Sequence, residues 1–186
     1  DDLGSNLGSI ALLSEALQRA PKHPGSTPEL LGEINNIARQ TLESMRDALW
    51  FVDPEKDASQ DLVAHLRNIS DSMLKNTPHV FDSGESERGV PIPLHVKREV
   101  VLIFKESLHN VLRHSGATEV RIEAEVRRGE FVFKVRDNGK GFDAGQEFSG
   151  HGLRNIRHRA EKLGAELKVT SEPNSGTTVE FQVKLV

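Results

Sequence analysis

The chain has 186 residues, a net charge of −4 at pH 7 and no cysteine. Charged residues make up 28% and hydrophobic ones 36%, an ordinary folded composition. There is no basic footprint for nucleic acid, no disulfide framework or thiolate metal site, and no apolar run near the roughly 18 residues that span a bilayer. The expected location is cytoplasmic, with any membrane attachment made through parts upstream of Asp1. The start on Asp1-Asp2 without a methionine reads as a fragment of something longer.

Residues 3–19 read as a helix, with Leu3, Leu7, Ile10 and Leu17 on a heptad spacing. Pro21, Pro24, Gly25 and Pro28 break the chain, and Thr27 can cap a second helix with Pro28 at its first position. From there Leu31, Ile34, Ala38, Thr41, Met45, Ala48 and Val52 step by three and four. Two such helices make an antiparallel hairpin, and two hairpins make a four-helix bundle, so a homodimer is expected. The arms are unequal, about 24 against about 17 residues, a shortfall of roughly 10 Å at about 1.5 Å per residue. The first helix is therefore expected to begin upstream of Asp1.

Pro54 ends the second helix, and residues 53–60 read as a linker. Leu62 to Leu74 is a further amphipathic helix, Pro78 to Phe81 a short strand, and Ser83 to Pro93 a loop. A central helix is expected from about Leu94 to His114, stopped by Gly116. Its apolar stripe holds Val100, Val101, Phe104, Leu108, Val111 and Leu112. Glu106, Asn110 and Arg113 share another face, where a carboxylate and a carboxamide one turn apart can offer hard oxygen ligands to Mg²⁺. Glu119–Val126 and Phe131–Val135 alternate as strands around a turn at Gly129. Leu153–Leu163 reads as a helix, and Leu167–Ser171 and Thr177–Leu185 as strands. The class is α+β: a helical hairpin over residues 1–52, then a sheet covered on one face by helices over residues 61–186.

Three glycine-containing turns interrupt the second part. Asp137-Asn138-Gly139-Lys140-Gly141-Phe142 follows a strand; its glycines admit close backbone approach and its Asp can accept from an exocyclic amine. Phe142 reads as core. Gly150-His151-Gly152-Leu153 leads into a helix, where free N–H groups suit phosphate. Asp143–Ser149 between them is a candidate lid. Gly176-Thr177-Thr178 enters the last strand.

Taken together, Glu106-Ser107-Leu108-His109-Asn110, Asp137 to Gly141, Gly150-His151-Gly152-Leu153 and Gly176-Thr177 resemble the N box, the two Gly boxes and the Gly-Thr pair of the ATP-binding (Bergerat) fold of sensor histidine kinases. Arg113-His114, the short lid and Met45 to Pro54 look like the subfamily whose dimerisation helices carry a His-Asp motif. The resemblance implies Mg²⁺ and ATP as cofactors. Asn110 would coordinate the metal; Glu106 would help hold it or polarise the attacking group. Asp137 would bind the adenine amino group with support from Thr178, with Thr177 beside it in the Gly-Thr pair, and Gly139 and Gly141 would leave room for the nucleotide. The backbone of Gly150, His151, Gly152 and Leu153, with Arg113 and His114, would hold phosphates. The acceptor His would directly precede Asp1, and Asp1 would take its proton. A response-regulator receiver domain would be the downstream partner. A non-catalytic nucleotide-binding scaffold is the alternative; a serine kinase of the anti-sigma type lacks the helix pair, and an ATPase of the gyrase type needs further domains.

Overall fold

The computed structural model describes residues 8–14, 27–53, 58–143 and 151–185. The chain divides into two compact units, Asp1–Asp53 and Pro54–Val186.

In the first unit residues 8–14 are helical (α1), and α2 runs over Thr27–Val52. The connection expected to fold α1 back on α2 lies outside the described residues, as do Leu3, Leu7 and Leu17. On α2, Thr41 is buried and returns its hydroxyl to the Ile37 carbonyl at 2.8 Å. Leu31, Leu42, Met45 and Leu49 stand 54, 55, 47 and 68% exposed. At about 100° per residue these four fall within one narrow stripe.

The second unit is a mixed five-stranded sheet with helices on one face. Its elements are α3 (Ser59–Met73), β1 (His79–Asp82), α4 (Leu94–Asn110), a π turn (Val111–Ser115), β2 (Val120–Arg127), β3 (Glu130–Asp137), α5 (His151–Lys162), β4 (Glu166–Ser171) and β5 (Thr177–Lys184). The strand order is β1-β2-β3-β5-β4. Only β1–β2 is parallel; the other three pairings are antiparallel. Alternation sets the faces. Val120, Ile122, Ala124 and Val126 of β2, Phe131, Phe133 and Val135 of β3, and Val179, Phe181 and Val183 of β5 are all buried. Leu62, Leu66 and Ile69 of α3, Val100, Ile103, Phe104 and Leu108 of α4, and Ile156 and Ala160 of α5 complete the core. Phe133 is its centre, edge-on to Phe104 at 5.4 Å and stacked on Phe181 at 5.1 Å.

Two expectations change here. Residues 59–60, read as linker, already belong to α3: Ser59 is buried and its hydroxyl donates to the Glu87 carbonyl at 2.7 Å, while Ala58 bridges Pro91. The central helix also does not stay α-helical to His114. Its last five residues open into the π turn, which adds a residue to the winding and rotates Leu112 outward to 45% exposure, off the stripe predicted for it.

Candidate nucleotide site

The helix-covered side of the sheet ends in a cleft of about 430 Å³ at the C-terminal end of α4, within the range of small-ligand pockets. Its walls come from α4 and the π turn (Glu106, Asn110, Ser115), the β3–α5 connection (Asp137, Lys140, Phe142) and α5 (Gly152, Asn155), among others. A shallower depression of about 370 Å³ lies on the open face of the sheet. There Lys134 meets Glu180 at 2.7 Å, so its charges pair with one another.

One end of the cleft is set by Asp137, the last residue of β3 and 4% exposed. Gly139 N–H donates to its Oδ1 at 2.8 Å. Burial pushes this carboxyl above its ordinary value of 3.8, and the backbone N–H groups of Gly139 and Thr177 pull it part of the way back. Antiparallel pairing puts Thr177 opposite Asp137 and Thr178 opposite Arg136. Thr177 therefore lines the cleft, in phase with the buried Val179. Thr178, given the supporting role from sequence, points to the other face, because neighbouring strand residues alternate.

The other end belongs to Glu106 and Asn110. A Cβ built on Gly152 would overlap Glu106 Oε1 and lie 3.0 Å from Asn110 Oδ1. The first turn of α5 thus rests directly on both polar side chains, and a side chain at this position would displace the Glu106 carboxylate. The Asn110 amide nitrogen is buried with no hydrogen-bond partner. Turning the amide over would place its oxygen there instead, so this side chain is a polar group in want of a ligand. No group of three or more His, Asp or Glu residues gathers as a metal cage among the described residues. One carboxylate and one carboxamide still suit Mg²⁺, which keeps waters and takes phosphate oxygens rather than an all-protein shell. Arg113 and His114 are exposed and, with Lys140, line the same cleft.

The glycines of the first box also permit close approach within the protein. A Cβ on Gly139 would overlap the Ser115 carbonyl; one on Gly141 (φ 57°) would overlap the Glu172 carbonyl. These positions admit other parts of the protein, and Gly141 also lines the cleft. Phe142, expected in the core, is half-buried and lines the cleft. Its N–H is held by Ser171 Oγ at 2.9 Å, and the same hydroxyl donates to the Gly176 carbonyl at 2.9 Å. Asn138 accepts from the N–H groups of Thr118 and Glu119 at 2.9 and 3.0 Å. Asn155, Ser115 and Ser171 were missed; for Asn155 the signal was its place three residues after Gly152 on the same helix face. His151 opens α5, and Leu153 lines the cleft. Asp1, Gly150 and most of the candidate lid, residues 144–149, lie outside the described residues.

A sheet with helices on one face, and a cleft with a buried carboxylate at one end and a helix start over two polar side chains at the other, defines a nucleotide-binding type of domain. Residues 95–186 match the family of Histidine kinase-, DNA gyrase B-, and HSP90-like ATPases, and this part of the chain belongs to it. The sensor protein VraS of Staphylococcus epidermidis is 35% identical over 188 residues, covering 100% of this chain and 53% of VraS. The sensor histidine kinase LiaS of Bacillus subtilis is 27% identical, covering 100% of this chain and 51% of LiaS. The chain thus spans about half the length of these relatives. Among solved structures, the histidine kinase domain of the Erythrobacter litoralis EL346 blue-light activated histidine kinase aligns with a TM-score of 0.60 at 18% identity, over 98% of this chain and 94% of that one, a likeness of fold. The chain carries a sensor histidine kinase ATP-binding domain.

Proposed function

We propose that this chain is the kinase core of a two-component sensor, which moves the γ-phosphoryl group of ATP to a histidine on paired dimerisation helices and from there to a receiver-domain aspartate. The observation that supports this best is the two-ended cleft, with buried Asp137 at one end and Glu106 and Asn110 beneath the α5 terminus at the other. Asp137 accepts a hydrogen bond from the adenine amino group, with Thr177 beside it. The N–H groups of Gly152 and Leu153, unpaired within their own helix, face the phosphates; Arg113 and Lys140 add positive charge at the rim, and His114 adds a ring nitrogen that can hydrogen-bond them. Asn110 and Glu106 would hold Mg²⁺, whose chemistry would be to offset the charge of the phosphate oxygens; in the transfer the bond from the γ-phosphorus to its bridging oxygen breaks and ADP leaves. A nitrogen–phosphorus bond forms on the acceptor imidazole, whose proton passes to an acidic neighbour; Asp1 is our candidate.

Incubation with γ-labelled ATP tests this on two lengths: the present chain, and one lengthened upstream of Asp1 by what its gene encodes there. The longer chain is expected to take up acid-labile, base-stable label, and the shorter one to bind ATP without labelling. Label on the shorter chain would move the acceptor to one of its own eight histidines. Binding without label at either length would favour the scaffold.

The exposed stripe of α2 supports a homodimer, since burying four large apolar side chains is worth about 1.5–3 kcal/mol each at most. Leu42→Glu with Leu49→Glu is expected to convert a dimer to monomers in sedimentation, because a buried unpaired charge costs several kcal/mol. A dimer unmoved by both changes would place the interface elsewhere.

A further inference from the structure

We infer that Ser115 is a positioning residue that sets the distance between the two ends of the cleft. This rests on the nucleotide reading given above. Ser115 closes the π turn that begins directly after Asn110, and Gly116 then reverses the chain at φ 64°. Its hydroxyl donates to the Val111 carbonyl at 2.8 Å and accepts from the Ala117 N–H at 2.9 Å. One oxygen thus fastens the wide turn and the reversal after it. The Ser115 carbonyl accepts from Lys140 N–H at 2.8 Å. A Cβ on Gly139 would overlap that carbonyl and stand 2.6 Å from the Ser115 Cβ, so the two segments touch with no side chain between them. Gly139 in turn donates to Asp137 Oδ1 at 2.8 Å. A short path therefore runs from Asn110 through the π turn to Ser115, across to Gly139, and on to the carboxylate that meets adenine.

A π turn is wider than an α turn and needs local support to persist. The hydroxyl of Ser115 supplies it from within. Ser115 lines the cleft, but its hydroxyl already serves two backbone groups, so its main effect is through the span. ATP is a two-ended ligand: once adenine is seated, the phosphates meet their own subsite at a high effective concentration, provided the span is right. Disturbing the span removes that advantage and leaves each subsite intact.

Calorimetry with three probes separates these effects: adenosine for the Asp137 end, magnesium tripolyphosphate for the Glu106–Asn110 end, and magnesium ATP for both. Ser115→Ala is expected to weaken ATP about tenfold while adenosine and tripolyphosphate each change less than about twofold. Gly139→Ala, which pushes on the same contact from the other side but also on Asp137 Oδ1, is expected to weaken adenosine as well as ATP and to leave tripolyphosphate within about twofold. General loosening of the domain would instead weaken all three probes together, and that result overturns the proposal, as does unchanged ATP affinity in both variants. A parent chain that binds none of the probes overturns the nucleotide reading, and this inference with it.

Discussion

Asp137→Asn is expected to raise the stability of the ligand-free chain and to weaken adenine nucleotides by about 10- to 100-fold. Both effects come from the same buried carboxyl. Its Oδ1 is engaged by Gly139 N–H and the Thr177 N–H also reaches the carboxylate, while Oδ2 keeps acceptor capacity for a ligand amine. Asparagine keeps the Gly139 bond through its own oxygen and so places an NH₂ group where the amine must donate. Donor then faces donor, and losing a bond to a charged acceptor costs about 1.5–3 kcal/mol. The stability effect has the opposite sign. Burial raises the pKa of Asp137 in the folded chain above 3.8. The folded state therefore holds more protons than the unfolded one between those two values. The contribution of this group to stability is complete below the unfolded pKa and is lost as pH rises through the folded one. Near neutrality the ionised carboxylate is a cost that asparagine removes. Melting temperatures of both proteins from about pH 4 to pH 7 should diverge as pH rises, with the variant higher, while calorimetry shows its ATP affinity reduced. A variant less stable at neutral pH would contradict the burial argument.

Gly176→Ala is expected to destabilise the domain by about 2–5 kcal/mol, lowering its melting temperature by roughly 6–20 °C. Gly176 has φ 78°, where an L-residue pays about 1–2 kcal/mol. Its added Cβ would also overlap the Asp137 carbonyl and stand 3.1 Å from the Asn138 Cα, both backbone atoms. Relief requires parting β3 from β5 where Asp137 pairs with Thr177, at a further cost of about 1–3 kcal/mol. Gly129 is the internal control. Its φ is 74°, but a Cβ there meets nothing within 4 Å. Gly129→Ala should therefore show the backbone part alone, about 1–2 kcal/mol. Equal losses at the two positions, read by thermal unfolding, would show that the close approach at Gly176 is not costly.

The order of helices and strands could be read from the sequence because each depends on spacing within one element. Val120, Ile122, Ala124 and Val126 alternate, and Val100, Phe104 and Leu108 recur every helical turn, whatever lies opposite them. The two ends of the cleft were legible as well, since Glu106 and Asn110 share a helix and Asp137 stands in its glycine turn. What could not be read depends on pairing across long stretches of chain. Thr177 and Thr178 are adjacent, and only the register against Asp137 and Arg136 decides which one faces the cleft. The glycines could be recognised as sites of close approach, but not what approaches them. Ser115 and Ser171 look like ordinary polar residues until the backbone groups they fasten are brought near. Leu112 kept its place in a four-step pattern that a π turn then shifted.

The strand order has a consequence for how such a domain can be made. β5 leaves the ribosome after β1 to β4, yet its place is inside the sheet, between β3 and β4. Asp137 must wait for Thr177, some 40 residues further along, before its end of the cleft exists. Until then β3 offers an open edge carrying Phe131, Phe133 and Val135, an invitation to pair with a neighbouring chain. Closure over that distance is slow compared with hairpin formation. A nascent chain held by the ribosome before β5 emerges would therefore be unable to take up nucleotide, however complete its N-terminal helices, and would depend on chaperones to keep that edge apart from others.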